Sequence, residues 1–120
     1  MEQRKEFMLL FRYEPSSDYQ PNEAEINKQN QLWGAFIGNI ALMEKLVSTH
    51  QLGFEGAQIL ANKTVVQGPN MADKQLLGGN MVVTVNSLEE ATQIAIECPI
   101  LLLGGTVEVR TITPMTISQL

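Results

Sequence analysis

The C-terminal part of the sequence contains a strand, a capped helix and a second strand in direct succession, and this order constrains the fold most strongly. Residues 79–85 alternate in polarity with the period of a strand. Ser87 and Glu90 have the spacing of a capping box, which predicts the start of a helix, and Pro99 prevents that helix from continuing. Residues 106–112 alternate again. The segment therefore predicts a β-α-β half of a small α+β domain.

The first half of the chain predicts a second unit of the same kind. Residues 6–13 alternate as a strand does, with apolar side chains on both faces. Residues 23–49 carry an apolar stripe at helical spacing, which predicts a long first helix that ends before Gly53. Residues 58–67 are typical of a short strand running towards Gly68. The whole order predicts an α+β fold with an antiparallel sheet, the ferredoxin-like β-α-β-β-α-β arrangement.

Length and residue usage predict one domain over residues 1–120. Folding at this length removes roughly two-thirds of the unfolded chain's surface from water, enough for a core without disulfides. The longest apolar run, residues 32–43, is interrupted by Asn39 and is about half as long as a membrane-spanning helix, so we predict no membrane segment. Cys98 is the single cysteine, and the charged start has no apolar export segment behind it. We therefore expect a cytoplasmic protein.

The charge pattern argues against nucleic acid as a partner. Acidic side chains outnumber basic ones by 13 to 8, and the basic ones are scattered along the chain. A nucleic-acid surface needs cations gathered on one stripe that neutralises a row of phosphates. We expect no binding to nucleic acid.

The predicted topology leaves one face of the sheet without a helix. We assign Phe7, Leu9, Val83 and Val107 to this face, because they occupy alternate positions of their strands. A large apolar face on a monomer indicates an interface. The simplest way to cover it is a twofold dimer that packs sheet on sheet, so we predict a homodimer through the sheet face.

The residues that carry most enzyme chemistry are few. His50 is the only histidine and is predicted at the end of the first helix, where a cation interacts favourably with the helix dipole. One histidine, one cysteine and two aspartates supply no ligand cluster, so we expect neither a metal nor a cofactor. Cys98 is predicted to be a small buried residue rather than a nucleophile. We assign no catalytic residue.

Several short motifs, in their joint order and spacing, carry a family resemblance. They are Phe7-Met8-Leu9-Leu10, Trp33 with Phe36, the Gly68-Pro69 turn, Leu77-Gly78-Gly79, Leu88-Glu89-Glu90-Ala91, Glu97-Cys98-Pro99 and Glu108-Val109-Arg110. The chain resembles the YCII-related proteins, and within them the group with an Asp-Gly-Pro-Phe signature. The resemblance implies a dimeric α+β barrel with ferredoxin-like topology.

The chain departs from this family at positions linked to chemistry. Gln67 stands where the signature has aspartate, and Asn70 stands where it has phenylalanine. In the wider family a catalytic role is inferred for a His and Asp pair, with the histidine near the start of the first helix. Residues 26–31 of this chain contain no histidine. The resemblance therefore does not carry a catalytic dyad to this protein.

A small-molecule site is predicted where the ends of strands meet the loop that begins with the signature positions, residues 67–74. The candidate residues are Arg12, Tyr13, Trp33, Gln67, Asn70, Lys74 and Arg110. Their cations favour a small anionic ligand such as a carboxylate, and the aromatic side chains suit an aromatic ligand, so we predict a small anionic or aromatic ligand. The alternative is structural, because Arg110 and Glu108 share a strand face and can pair with each other.

Three functions remain open at this point. The one that we favour is a non-catalytic small-molecule-binding or interaction module that acts as a dimer. The alternatives are a lyase- or isomerase-like enzyme on a small cyclic or aromatic substrate, as relatives with this fold suggest, and a purely structural dimer. Fold analogy alone does not promote the enzyme, because one fold hosts many chemistries.

Overall fold

The computed structural model of the chain describes residues 4–15 and 21–115. Within these two ranges, ten elements follow one another. They are β1 (Lys5–Tyr13), α1 (Glu23–Leu42), β2 (Leu46–Gln51), β3 (Ala57–Ile59), β4 (Val65–Gln67), β5 (Met71–Ala72), β6 (Gln75–Val85), α2 (Leu88–Ile96), a 3-10 helix (Pro99–Leu103) and β7 (Thr106–Thr111).

The main sheet has the strand order β2-β6-β1-β7, and every neighbouring pair is antiparallel. The short β5 pairs with the start of β6 at one end of this sheet. With α1 between β1 and β2 and α2 between β6 and β7, the connections are those of a ferredoxin-like domain. The predicted α+β class and topology are confirmed.

The core lies between one face of the sheet and the two helices. Alternate residues of β1 and β6 point into it, as the period of a strand requires. The core residues are Phe7, Leu9 and Phe11 from β1, Met81, Val83 and Val85 from β6, Phe36 and Ile40 from α1, and Ala91 and Ala95 from α2. Cys98 and, in the 3-10 helix, Ile100 complete this layer. The helices therefore cover one face of the sheet.

The assignment of Phe7, Leu9, Val83 and Val107 to the face without helices is wrong. The first three are at most 1% exposed and lie beneath the helices, and Val107 packs against the border of the same core. The alternation of β1 correctly separates two faces. It does not tell which face the helices cover, because both faces of β1 carry apolar side chains.

The opposite face, which we call the open face, has an apolar centre and charged margins. It is formed by Met8, Leu10 and Arg12 of β1, Asn80, Val82 and Thr84 of β6, Ser48 and His50 of β2, and Glu108 and Arg110 of β7. Met8 lies opposite Val82 on one side and Arg110 on the other. Any partner of this face therefore meets apolar side chains flanked by ionised ones.

The predicted first helix over residues 23–49 is too long. α1 ends at Leu42, the chain turns at Glu44, which has a left-handed φ of 58°, and then continues as β2. β2 pairs with β6, with Leu46 opposite Val83. Pairing with β6 satisfies the backbone of β2, and β-branched side chains suit a strand, so tertiary context outweighs the helical spacing of the apolar residues.

The position predicted for His50 is wrong for the same reason. His50 lies in β2 on the open face, and it is exposed to solvent. Its Nδ1 is 3.2 Å from Oδ1 of Asn80 on the neighbouring strand. The imidazole therefore takes part in a cross-strand polar contact rather than in capping a helix.

Residues 58–67 form a hairpin rather than the single predicted strand. β3 and β4 pair with each other, with Ile59 opposite Val65, and make a separate two-stranded sheet. The Lys63 N–H donates to the Leu60 carbonyl and closes the turn between them. The hairpin is an insertion between β2 and β6, and β2 takes the place in the sheet of the strand predicted over residues 58–67.

Both helices start at side-chain caps. Oδ1 of Asn22 accepts a hydrogen bond from the Glu25 N–H at 2.8 Å, and Oγ of Ser87 accepts one from the Glu90 N–H at 3.1 Å. The Glu90 carboxylate accepts from the Asn86 N–H, one residue before the cap. The predicted start of α2 at Ser87 is confirmed.

Ser87→Ala is expected to lower the free energy of unfolding by about 1 kcal/mol, because it leaves a helix N–H without its acceptor. Chemical denaturation measures this difference. Ser87→Asp is the matched control, since its carboxylate also caps a helix and should retain most of the stability. An unchanged denaturation midpoint for Ser87→Ala would show that the cap does not stabilise α2.

Gly34 and Gly38 lie one helical turn apart in α1, a spacing that predicts a close approach between helix and sheet. The structure contradicts this prediction, because a Cβ at either position would have no atom within 4 Å. The close approaches occur in the sheet instead. A Cβ at Gly79 would lie 2.7 Å from the His50 carbonyl oxygen, and one at Gly105 would lie 2.5 Å from the Arg12 carbonyl oxygen. Glycine is therefore needed where strands meet, not in α1.

Candidate functional site

A cleft of about 470 Å³ opens where the end of β1 meets the segment before β6. We call it the Arg12 cleft. Its polar side chains are Arg12, Asn70, Asp73 and Gln75, and its apolar walls include Leu52, Pro69 and Leu77. The cleft thus combines one cation, one carboxylate and two amides with apolar walls. This mixture suits a small ligand that has both a charged group and an apolar body.

Two tight turns place the polar residues of this cleft. Gly68 has a φ of 91°, which only glycine adopts without strain, and Pro69 fixes the next φ, so the chain bends sharply before Asn70. Asp73 and Lys74 form the two-residue connection between β5 and β6, and both have positive φ, as in the turns that join tight hairpins. The backbone therefore fixes where Asn70 and Asp73 stand.

Arg12 belongs to a chain of charges on the open face. Its Nη1 donates to Oε1 of Glu108 at 2.7 Å, and Nη1 of Arg110 donates to Oε2 of the same carboxylate at 3.3 Å. Arg12, followed by Arg110, holds the pKa of Glu108 below its usual range. Two guanidinium groups share one carboxylate, so this triplet keeps a net positive charge beside the cleft.

The structure brings together two of the seven predicted site residues, Arg12 and Asn70, in the Arg12 cleft. Arg110 is connected to this pair only through Glu108. Lys74 lies in the turn after Asp73 but does not line the cleft, and Gln67 lies in β4 of the hairpin. The predicted set therefore does not form one site.

Two further predicted residues pack on the helix side of the sheet. The Trp33 ring stands edge-on to Phe11 and Phe36, with centroid distances of 5.4 and 6.0 Å. Tyr13 lies against Gly78, where an added Cβ would approach its ring within 2.5 Å. Both aromatic rings pack against the core cluster. Their contacts are those of packing residues, since such edge-to-face pairs stabilise cores.

The sequence did not point to Asp73, Gln75 and Leu52 as site residues, although all three line the Arg12 cleft. The signal for Asp73 was a polar pair, Asp73-Lys74, between two short apolar stretches. That pattern is typical of a two-residue hairpin turn. Leu52 carries no sequence signal, because it reaches the cleft only through the unexpected strand β2.

A larger cavity of about 720 Å³ lies between the two helices and the 3-10 helix. Apolar side chains dominate its lining, among them Leu32, Met43, Ile94, Ile96, Leu101 and Leu102. Nζ of Lys45 lies 3.1 Å from Oε1 of Glu90 at the polar part of this cavity. The Asn86 N–H, followed by Lys45, holds the pKa of Glu90 below its usual range. No residue of the predicted site lines this cavity.

The surroundings of Cys98 are those of a packing residue rather than of a nucleophile. Cys98 is buried, and burial raises the pKa of its thiol to about 11, partly opposed by a hydrogen bond that its sulfur accepts from the Ile100 backbone N–H. The thiol is therefore protonated at neutral pH, as expected of a buried cysteine. Residues 4–15 and 21–115 include no group of three His, Cys, Asp or Glu side chains that could hold a metal ion. Neither helix of these ranges is long and apolar enough to cross a membrane.

Comparisons with known proteins agree with the resemblance drawn from the motifs. Residues 6–116 match the YCII-related domain. A comparison with curated protein sequences found no match. The matched range includes both helices and the whole sheet apart from the first residue of β1. The chain belongs to the family of YCII-related domain proteins.

Proposed function

We propose that this YCII-related protein is a non-catalytic binding module that works as a homodimer and takes a small anionic ligand in the Arg12 cleft. The observation that carries the proposal is that Arg12 and Asn70, which are far apart in the sequence, line one cleft with apolar walls. The proposal places the module in the cytoplasm, since its one cysteine, Cys98, is an unpaired buried thiol.

The ligand class follows from the groups in the cleft. A guanidinium binds carboxylate or phosphate through parallel N–H donors, and the contact between Nη1 of Arg12 and Glu108 holds this group in one orientation. Asn70 and Gln75 offer amide donors and acceptors beside it. Asp73 disfavours a second anionic group, so the ligand carries one negative charge and an apolar body that fits against Leu52. A small aromatic or alkyl carboxylate meets these requirements.

The surface area of the chain supports the dimer. The accessible area is 8991 Å² for a chain of 13.3 kDa, whereas a compact monomer of this mass has roughly 6,450 Å². The excess, roughly 2,500 Å², is comparable to what one subunit buries in a large homodimer interface. The open face offers the half-buried Met8 and Leu10 at its centre for such an interface.

Arg12→Gln is expected to weaken binding of a small carboxylate at least about tenfold, because it removes a charge-assisted contact. Calorimetry with a panel of small aromatic and alkyl carboxylates measures this. Arg110→Gln is the matched control, since it also loses a contact with Glu108 but does not line the cleft. Binding that is equally strong in wild type and Arg12→Gln would overturn the assignment of the cleft, as would a panel without any binder.

One observation favours the enzyme alternative. The Asp73 carboxylate lies in the same cleft as Arg12, and a carboxylate beside a bound anion is suited to proton transfer. A lyase- or isomerase-like reaction on a small cyclic or aromatic substrate would use it as the general base. Turnover by the wild type that Asp73→Asn abolishes would establish this alternative and end the non-catalytic proposal.

A further inference from the structure

The β3–β4 hairpin exposes large apolar side chains that the described part of its own chain does not cover. Ile59 is 68% exposed and Val65 is 56% exposed, and Phe54, just before the hairpin, is 63% exposed. The two strands form a sheet of their own and do not join the main sheet. The hairpin is therefore an apolar projection from the domain.

Such a hairpin is poorly stable when water surrounds it. A two-stranded hairpin alone is at best marginally stable, and exposed apolar strands invite unspecific pairing with other chains. Soluble proteins commonly protect such strands with charges or proline, but residues 57–59 and 65–67 contain neither. The composition indicates that another surface covers the hairpin in the working protein.

We propose that the β3–β4 hairpin is an arm that packs against a second copy of this chain. The inference rests on the homodimer proposed above and specifies an additional contact within it. The first argument is shape. The radius of gyration is 16.5 Å and the smallest dimension is only 20 Å, whereas a compact chain of 120 residues has a radius of gyration of about 14 Å. A second copy of the chain would cover the open face, which has no helix layer of its own.

The second argument is position. Gly53 and Pro69, which flank the hairpin in the sequence, line the Arg12 cleft together with Arg12, whose side chain lies on the open face. The hairpin therefore leaves the domain at the margin of the open face. In a twofold dimer through that face, each arm lies at the rim of the interface, where it reaches the partner.

The third argument is charge. The chain has a formal net charge of −5 at pH 7, so two copies repel each other at long range. An arm whose strands carry no ionised side chain adds apolar contact without adding repulsion. The hairpin strands can therefore contact a second copy in spite of its like net charge.

Two variants test the arm without removing the rest of the fold. The Gly68 N–H donates to the Gly56 carbonyl at 2.8 Å, so these residues already face each other at the base of the hairpin. Replacing residues 57–67 by Asn-Gly joins them through a tight turn. The second variant, Ile59→Glu with Val65→Lys, replaces two facing apolar residues by an ion pair that preserves the hairpin.

Sedimentation equilibrium over a concentration series gives the dimer Kd of each form. We expect a Kd at least about tenfold higher than wild type for both variants, because apolar contact with the partner is lost. Ala61→Glu, in the hairpin turn, is the matched control and should stay within about threefold. Circular dichroism checks the main domain, and if the excised form does not fold, the double substitution decides.

The outcomes separate this inference from the proposed dimer. A wild-type dimer whose Kd is unchanged by both hairpin variants would overturn the arm and leave the dimer intact. A wild type that stays monomeric would overturn both. A wild-type dimer that both variants weaken, while Ala61→Glu does not, supports the arm.

Discussion

Val83→Asp is expected to prevent folding. Val83 is fully buried beneath the helices, opposite Phe7 of β1 and Leu46 of β2. An unpaired carboxylate in such a place costs about 3–5 kcal/mol or more, which is comparable to the whole stability of a domain at the lower end of the usual range of about 5–15 kcal/mol. We expect loss of the near-ultraviolet circular dichroism signal and no cooperative transition in a denaturant titration.

Val83→Ala is the matched control for this variant. It creates a small cavity without a buried charge, at a cost of about 2–3 kcal/mol, and should leave a folded protein. A cooperative transition of Val83→Asp at the wild-type midpoint would show that this side chain does not belong to the core.

Met8→Glu is expected to prevent the proposed dimer from forming while the monomer stays folded. Met8 is half-buried on the open face, opposite Val82 and Arg110. In the monomer its carboxylate would reach water and face the guanidinium of Arg110. In a sheet-on-sheet dimer two such carboxylates would be buried, which should raise the dimer Kd at least about 100-fold, or roughly 2.7 kcal/mol.

Met8→Gln distinguishes charge from shape. It keeps the length of the side chain and adds no charge, so its effect on the Kd should be much smaller than that of Met8→Glu. Sedimentation of the three proteins at matched concentrations measures the difference. A Met8→Glu protein that dimerises as tightly as wild type would place the interface away from the open face.

The sequence predicted the fold where local signals and tertiary packing agree. Ser87 marked the start of α2 because its side chain caps the helix within one turn by accepting from the Glu90 N–H. The alternation of β1 separated its two faces correctly, since side-chain direction in a strand follows from the backbone alone. These signals do not depend on distant residues, so they can be recognised in a single sequence.

The incorrect predictions concern segments whose structure is determined by contacts with residues distant in the sequence. The segment after Leu42 has helical spacing and strand-forming residues at once, and only the pairing of Leu46 with Val83 makes it β2. The covered face of β1 was misassigned because both of its faces are partly apolar. Of the predicted site residues, Arg12 and Asn70 line one cleft, whereas Trp33 packs on Phe11. The sequence does not distinguish these two roles for Trp33, because an aromatic side chain can line a pocket or pack in a core.

Sedimentation equilibrium of the wild-type chain at micromolar concentration tests most directly whether this protein is a dimeric module. The excess surface, the apolar centre of the open face and the exposed hairpin all predict a dimer mass, twice the 13.3 kDa of one chain. A single species of 13.3 kDa up to the highest concentration reached would contradict the dimer, and with it the arm.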